Sequence, residues 1–316
     1  MDVLRLLEPE EEFSLRVAPD EHGLRIDRLL AMHLPFASRS RIAAWIRAGR
    51  ASIDGAPAAR AARPAVAGQQ VQLRIEKRAR DSAEPLDDLL ALPVLSRGDG
   101  WLVVDKPAGV PCHPAGNTIK RTLLTALTLC HASDSDPGGP WLPHRLDRET
   151  SGLVLVALTR AAQVRISAAF SHGQVRRFYD AVVRGDAGER LPSPGVALDV
   201  RLPLARAGSA PPRFRVDPLG APSHSRIRLV RSGADSSALA LEPVTGRQHQ
   251  LRVHLAHLGH PIVGDPLYDP DARPSERMRL HARAIELPAG VVGNAAPLQL
   301  ETAAPDFDPV PARSIR

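Results

Sequence analysis

Lysine is nearly missing from this chain of 316 residues. It stands only at Lys77, Lys106 and Lys120, so a net charge of +6 and a pI near 10.1 rest almost wholly on arginine. A basic surface of this kind suits a polyanionic partner, because guanidinium groups neutralise phosphates and release counterions. Arginine and alanine richness also follows from genomic base composition, so the bias alone carries little weight. Cysteine is scarce as well, with only Cys112 and Cys130, which excludes a disulfide framework. Each is followed by a histidine, but adjacent ligands seldom close a tetrahedron, so two buried thiols are expected and no metal. No apolar run reaches the length of a membrane span. The amino terminus opens with Glu8, Glu10, Glu11 and Glu12 and lacks a basic segment followed by an apolar one, so the expected location is the cytoplasm, away from membrane. No glycine loop of the phosphate-cradling kind is present.

What the chain does hold is 43 % hydrophobic residues and enough length for two domains. Residues 13–75 read as a compact module. Ser38 and Ser40 can cap a helix whose Ile42, Trp45, Ile46 and Gly49 fall at helical spacing, with Arg41 and Arg47 off that stripe, where they can meet phosphates. Gly49 stops the helix, and residues 51–55 form a strand entering an Asp-Gly turn. Residues 68–75 alternate as a strand, with Val71, Leu73 and Ile75 on one face. Residues 76–92 mix charge around Pro85 without periodicity and read as a linker, which leaves 93–316 as the second domain.

That domain is organised around residues 143–159, PHRLDRETSGLVLVALT. One carboxylate, Asp147, lies between Arg145 and Arg148 and near His144, and the chain then turns into a short, β-branched run that reads as an interior strand. Before it, a strand at 101–104 runs into the proline- and glycine-rich loop 105–118, and residues 122–130 can form a short helix. After it, 161–172 reads as a helix with Val164 and Ala168 at helical spacing and Phe170 nearby. In RRFYDAVVRG (176–185), alternation sets Arg177, Tyr179, Ala181 and Val183 on one strand face. Residues 239–244 form a further strand, and 280–287 reads as the last one, followed by a tail without pattern. Residues 205–225 are rich in proline, glycine and arginine and show no clear period. Between these, residues 245–269 turn into a helix with Leu251, Leu255 and Leu258 on one stripe. His254 shares that stripe as a core histidine. His257 and His260 do not complete a metal site, because the helix should stop at Gly259.

Asp147 and Glu149 are too close along one stretch to flank a sugar from opposite sides, which sets a glycosidase aside. A solitary aspartate among arginines instead fits nucleophilic or base chemistry on a nucleic acid.

The module at 13–75 resembles the S-four-type RNA-binding domain through GLRIDRLL, SRSRIAAWIRAGRASIDG and GQQVQLRI. HRLDRETSGLVLVALT resembles the catalytic motif of RluA-type pseudouridine synthases, while RRFYDAVVRG and PVTGRQHQLRVHLAHLGHPIVGD resemble their second and third motifs. DKPAGVPCHPAG resembles the loop ahead of the first. All occur in the family's order over nearly the whole chain. The resemblance implies an α+β fold: a mixed, mostly antiparallel sheet of the pseudouridine synthase kind behind a small α+β RNA-binding domain. It implies an isomerase that converts uridine to pseudouridine in structured RNA, with large-subunit ribosomal RNA ahead of transfer RNA, acting as a monomer without cofactor or metal. Asp147 matches the essential aspartate, Tyr179 the tyrosine that stacks on the base, and Arg252 the basic partner of the aspartate. Arg145 matches the arginine that fills the vacated stack. His144, Arg148, Arg247, Arg41 and Arg47 are the remaining expected RNA contacts. The second motif usually begins with lysine where this chain has Arg177, and Cys112 replaces an apolar loop residue. A non-catalytic RNA-binding or ribosome-assembly factor on the same scaffold is the alternative, and a nucleoside hydrolase a third reading.

Overall fold

The computed structural model describes residues 10–34, 37, 39–76, 86–114, 121–131, 136, 138–208, 212–304 and 307. Ser38, most of the linker expected at 76–92, part of the 105–118 loop and the end of the tail lie outside them. The chain divides into two compact units, residues 1–91 with 111–141 and residues 92–110 with 142–316.

The first unit holds β1 (Glu10–Arg16), α1 (Ile26–His33), α2 (Arg39–Arg47), β2 (Ala51–Ile53), β3 (Ala56–Pro57), β4 (Gln70–Glu76), α3 (Asp87–Leu90) and α4 (Leu123–His131). Its four strands form one sheet in the order β1-β4-β2-β3. Ile42, Trp45 and Ile46 of α2 are buried together with Val71 and Leu73 of β4, as their spacings require. Asp54 and Gly55 both take positive φ (51° and 80°), the backbone of a tight hairpin turn, and link β2 to β3. Asp27 of α1 is buried and accepts from the guanidinium groups of Arg25 (3.0 Å) and Arg39 (3.1 Å), and the second contact ties α1 to α2. Cys112 is buried as expected, but Cys130 is exposed: the last turn of α4 leaves its thiol at the surface, where it donates to Leu90 O.

The second unit is built on a sheet of nine strands. These are β5 (Val94–Gly98), β6 (Trp101–Lys106), β7 (Ser151–Ala157), β8 (Arg176–Arg184), β9 (Ala197–Val200), β12 (Ser225–Arg231), β13 (Ser236–Pro243), β14 (Leu280–Leu287) and β15 (Leu298–Glu301). A separate hairpin pairs β10 (Leu204–Arg206) with β11 (Phe214–Val216). The order is β5-β6-β7-β14-β8-β13-β12-β9, with β15 alongside β14. Among the described residues only β7 and β14 pair in parallel, and the other ladders of this sheet are antiparallel. The fold is therefore α+β, with a mixed and mostly antiparallel sheet. Every residue of β7 is buried, which explains its unbroken apolar run. Gly152 sits where β7 meets β14 at φ 113°, and a Cβ there would lie 2.3 Å from Ala282 O, so only glycine allows this approach.

Two sequence expectations change here. The helix α5 (Arg160–Ser171) buries Ala162, Ile166 and Ala169, whereas Val164 is 54 % exposed. Ala162, Ile166 and Ala169, four and three residues apart, face the interior, and Val164, two residues from both Ala162 and Ile166 and so on the opposite side of the helix, faces solvent. The strand at 280–287 is also not the last: β15 follows it and pairs with residues 284–287, beyond the short segment that β7 occupies.

Candidate active site

Asp147 stands on the loop just before β7, and that loop is tied down from several sides. Lys106, fully buried at the end of β6, donates to three carbonyls: Pro107 O (2.8 Å), Val110 O (2.8 Å) and Arg148 O (3.1 Å). The sequence offered a signal for this residue, a charge closing an apolar strand, which demands buried acceptors. Leu146 is buried, and the Thr150 amide donates to Asp147 O at 3.2 Å. His144 is turned into the fold. Its Nε2 accepts from the Leu155 amide (2.9 Å) and its ring stacks on Phe170 at 4.6 Å. Burial and the neighbouring Arg177 push its pKa down to about 3, so it carries no charge at neutral pH.

Facing this loop is α6 (Gln250–His257), buried on nearly all sides, including Arg252. Its entry turn is held by Gln250, which accepts from Thr245 Oγ1 (2.6 Å) and the Arg247 amide (3.1 Å) and donates to His224 O (2.8 Å) and Ser225 Oγ (2.9 Å). His254 is a hydrogen-bonded core residue, against Ser225 Oγ (2.9 Å) and Leu202 O (3.0 Å).

The Arg252 guanidinium grips Asp265 with two bonds of 2.7 Å, Nε to Oδ2 and Nη2 to Oδ1, and reaches Asp147 Oδ2 through Nη1 at 3.0 Å. Burial alone would lower the pKa of Arg252, but its bonds to Asp265 and the charge of Asp147 outweigh that and raise it above the ordinary arginine value. A permanent cation therefore sits beside Asp147. Asp265 is fully buried and also accepts from the Leu267 and Tyr268 amides. Sequence reasoning did not single it out. The available signal was indirect: an arginine on a buried helix must have a counter-ion.

Asp147, Tyr179 and Arg252 line one pocket of about 180 Å³, together with Arg145, Arg177, Arg247, His249 and Leu251. A cavity of that volume has room for a planar base. Tyr179 on β8 is 7 % exposed. Arg177 donates to Pro243 O and Thr245 O, both at 3.4 Å, so here it braces the turn at the rim. Arg145 and Arg247 are exposed at the pocket; Arg148 does not line it and pairs with Glu149 at 2.6 Å. Arg41 and Arg47 belong to α2 of the first unit, Arg41 lying over the Trp45 ring at 5.3 Å. Among the described residues no group of three or more His, Cys, Asp or Glu side chains is arranged to hold a metal ion, and no helix is long and apolar enough to cross a membrane. The site thus offers one carboxylate, a fixed cation and an aromatic ring around a cavity for one base.

Residues 100–257 match the family model described as RNA pseudouridylate synthase. The chain is 34 % identical over 281 residues to the ribosomal large subunit pseudouridine synthase D of Pseudomonas aeruginosa, covering 84 % of each. It is also 34 % identical over 290 residues to the protein of that name from Nitrosomonas europaea, covering 89 % of this chain and 81 % of the relative. Among solved structures, human RNA Pseudouridylate Synthase Domain Containing 1 superposes with a TM-score of 0.55 at 27 % identity, over 69 % of this chain and 86 % of that one.

Proposed function

The chain belongs to the RNA pseudouridylate synthase family, and from that premise we propose that it isomerises uridines of large-subunit ribosomal RNA, with Asp147 as the reacting carboxylate. The names of the relatives support the choice of RNA. The observation that carries the residue assignment is the Asp147 to Arg252 ion pair, on the wall of a one-base pocket that Tyr179 also lines.

A uridine enters this pocket only when turned out of its stack, at a cost of a few kcal/mol. Tyr179 offsets part of that cost by stacking on the base, and the exposed Arg145 at the rim fills the gap the base leaves. Arg252 holds Asp147 Oδ2 still, which leaves the other oxygen to engage the ribose or the base. The bond from ribose C1′ to N1 breaks, the uracil turns, and a bond from C1′ to C5 forms. The proton lost from C5 is balanced by one gained at N1, and Tyr179 stands beside the base to help remove it. Reactant and product are isomers, so the exchange involves no net redox or hydrolysis. The module at 13–75 binds the surrounding RNA through Arg41 and Arg47 of α2.

Mapping pseudouridines by carbodiimide reactivity in ribosomal and transfer RNA, from cells with the gene, without it, and with Asp147→Asn, tests the reading. Sites in large-subunit RNA should vanish in the last two. Sites lost only from transfer RNA would change the substrate, and an unaltered map with Asp147→Asn would overturn the assignment of the nucleophile.

A further inference from the structure

Two non-glycine residues have positive φ among the described residues, Asp54 in its hairpin turn and His249 at φ 56°. His249 takes the third place of a turn closed by the Gln250 amide, which donates to Arg247 O at 3.2 Å, a place that glycine or asparagine usually fills. It precedes α6 in the left-handed conformation, costly for a residue with a Cβ, and this backbone sets its imidazole on the wall of the pocket. The ring is boxed by two aromatic edges, Phe214 with centroids at 5.5 Å and 70°, and Tyr268 at 5.7 Å and 81°.

A chain of hydrogen bonds selects its tautomer. The Phe214 amide, on β11, can only donate, and it donates to Tyr268 Oη at 2.9 Å. Tyr268 Oη lies 2.9 Å from His249 Nδ1, which among the described residues is the only acceptor for the phenol proton. Nδ1 therefore accepts, and the neutral ring carries its proton on Nε2. That atom is 3.9 Å from Asp147 Oδ2, too far for a direct hydrogen bond and near enough for one atom to answer both groups. Burial, opposed by the Asp147 carboxylate, lowers the pKa of His249, so the ring is neutral near pH 7. Arg252, Asp265 and Arg145 are the other charged groups acting on it.

We propose that His249 is a further catalytic residue: its Nε2–H donates a hydrogen bond to an oxygen of the uridine that Asp147 engages, and Tyr268 with the Phe214 amide are positioning groups that keep that proton on Nε2. The inference rests on the reading of Asp147 given above. It also couples the β10–β11 hairpin to the chemistry, since the hairpin supplies the first donor of the chain.

The test is single-turnover conversion of an unmodified transcript of large-subunit ribosomal RNA, at saturating enzyme, together with long-range proton–nitrogen NMR of the imidazoles. His249→Ala should slow conversion by roughly tenfold or more while RNA affinity stays within about twofold, the pattern of a contact felt mainly in the transition state. His249→Gln, which can place an amide N–H at the same point, should restore most of the rate. Tyr268→Phe should fall between and mix the tautomers, whereas the unaltered protein should show His249 protonated at Nε2. A His249→Ala protein converting at the original rate, or a ring protonated at Nδ1 in the unaltered protein, would overturn the proposal. An unaltered protein that leaves every uridine unchanged would instead sink the reading of Asp147, and the NMR result stands apart from that outcome.

Discussion

Asp27 in the first unit and Asp147 in the second are both held by arginine, and the difference between them separates a brace from the group proposed to react. Asp27 is nearly covered, but its partners Arg25 and Arg39 keep side chains 52 % and 54 % exposed. At the other site the arginine is the buried member: the Arg252 side chain is 4 % exposed and Asp265 is fully enclosed, while Asp147 is open to the pocket at 18 %. Around Asp27 both carboxylate oxygens accept from arginine, and water relieves the cations. Around Asp147 the charge on Arg252 is fixed by Asp265, so Asp147 receives one short bond and retains an oxygen for substrate.

The largest effect should come from removing the reacting oxygen. In the proposed reading Asp147→Asn keeps the side chain's size but loses the nucleophile, and activity should fall by about 10⁴-fold or more in single-turnover assays, with a melting temperature within a few degrees of the original. A comparable loss of stability would place Asp147 in the class of Asp27 and break the comparison.

Next is Arg252→Met. It strands Asp265, which is fully buried and faces no other cation at hydrogen-bond distance among the described residues, so unfolding free energy should drop by about 3–5 kcal/mol in denaturant titrations. Adding Asp265→Asn should recover most of that loss, because the amide oxygen still accepts from the Leu267 and Tyr268 amides, yet activity should not return. Stability and catalysis thus separate in one pair of variants.

These cases mark where the chain was readable from its residues. Asp147, Tyr179 and Arg252 lie in short motifs whose resemblance to a family is strong, and the pocket gathers all three from distant segments. The α2 stripe and the Asp-Gly turn were legible because period and backbone preference decide them locally. Asp265, His249 and Tyr268 were not, since each matters through a partner far along the chain and none disturbs a periodic pattern. The inner face of α5 failed for another reason: what is buried there depends on how closely the neighbouring strand approaches, which the spacing of residue types does not record. The short β15 was missed because four residues paired at one edge leave almost no pattern.

Asp27→Ala should cost less than Arg252→Met, about 1–2 kcal/mol, because the arginines it leaves behind are already solvated. The pH dependence gives the sign. Hydrogen bonding from Arg25 depresses the pKa of Asp27 in the folded chain, despite its burial. Its contribution is therefore present above the unfolded value near 4 and fades as the pH falls through the depressed one. The gap between the unaltered protein and Asp27→Ala should narrow below about pH 4; a gap that held constant there would mean the carboxylate's charge does not matter to α1 and α2.

The smallest effect sharpens the contrast from the RNA side. Arg47 is exposed at the end of α2, and in the proposed reading it meets phosphate rather than base. Arg47→Ala should weaken RNA binding by a few fold, equally for cognate and unrelated transcripts, and reduce the slope of log affinity against log salt by about one. Single-turnover conversion at saturating enzyme should be unchanged. A fall in that rate at unchanged affinity would tie the first unit to the chemistry itself, and the division between a bracing, RNA-gripping module and a reacting one would have to be redrawn.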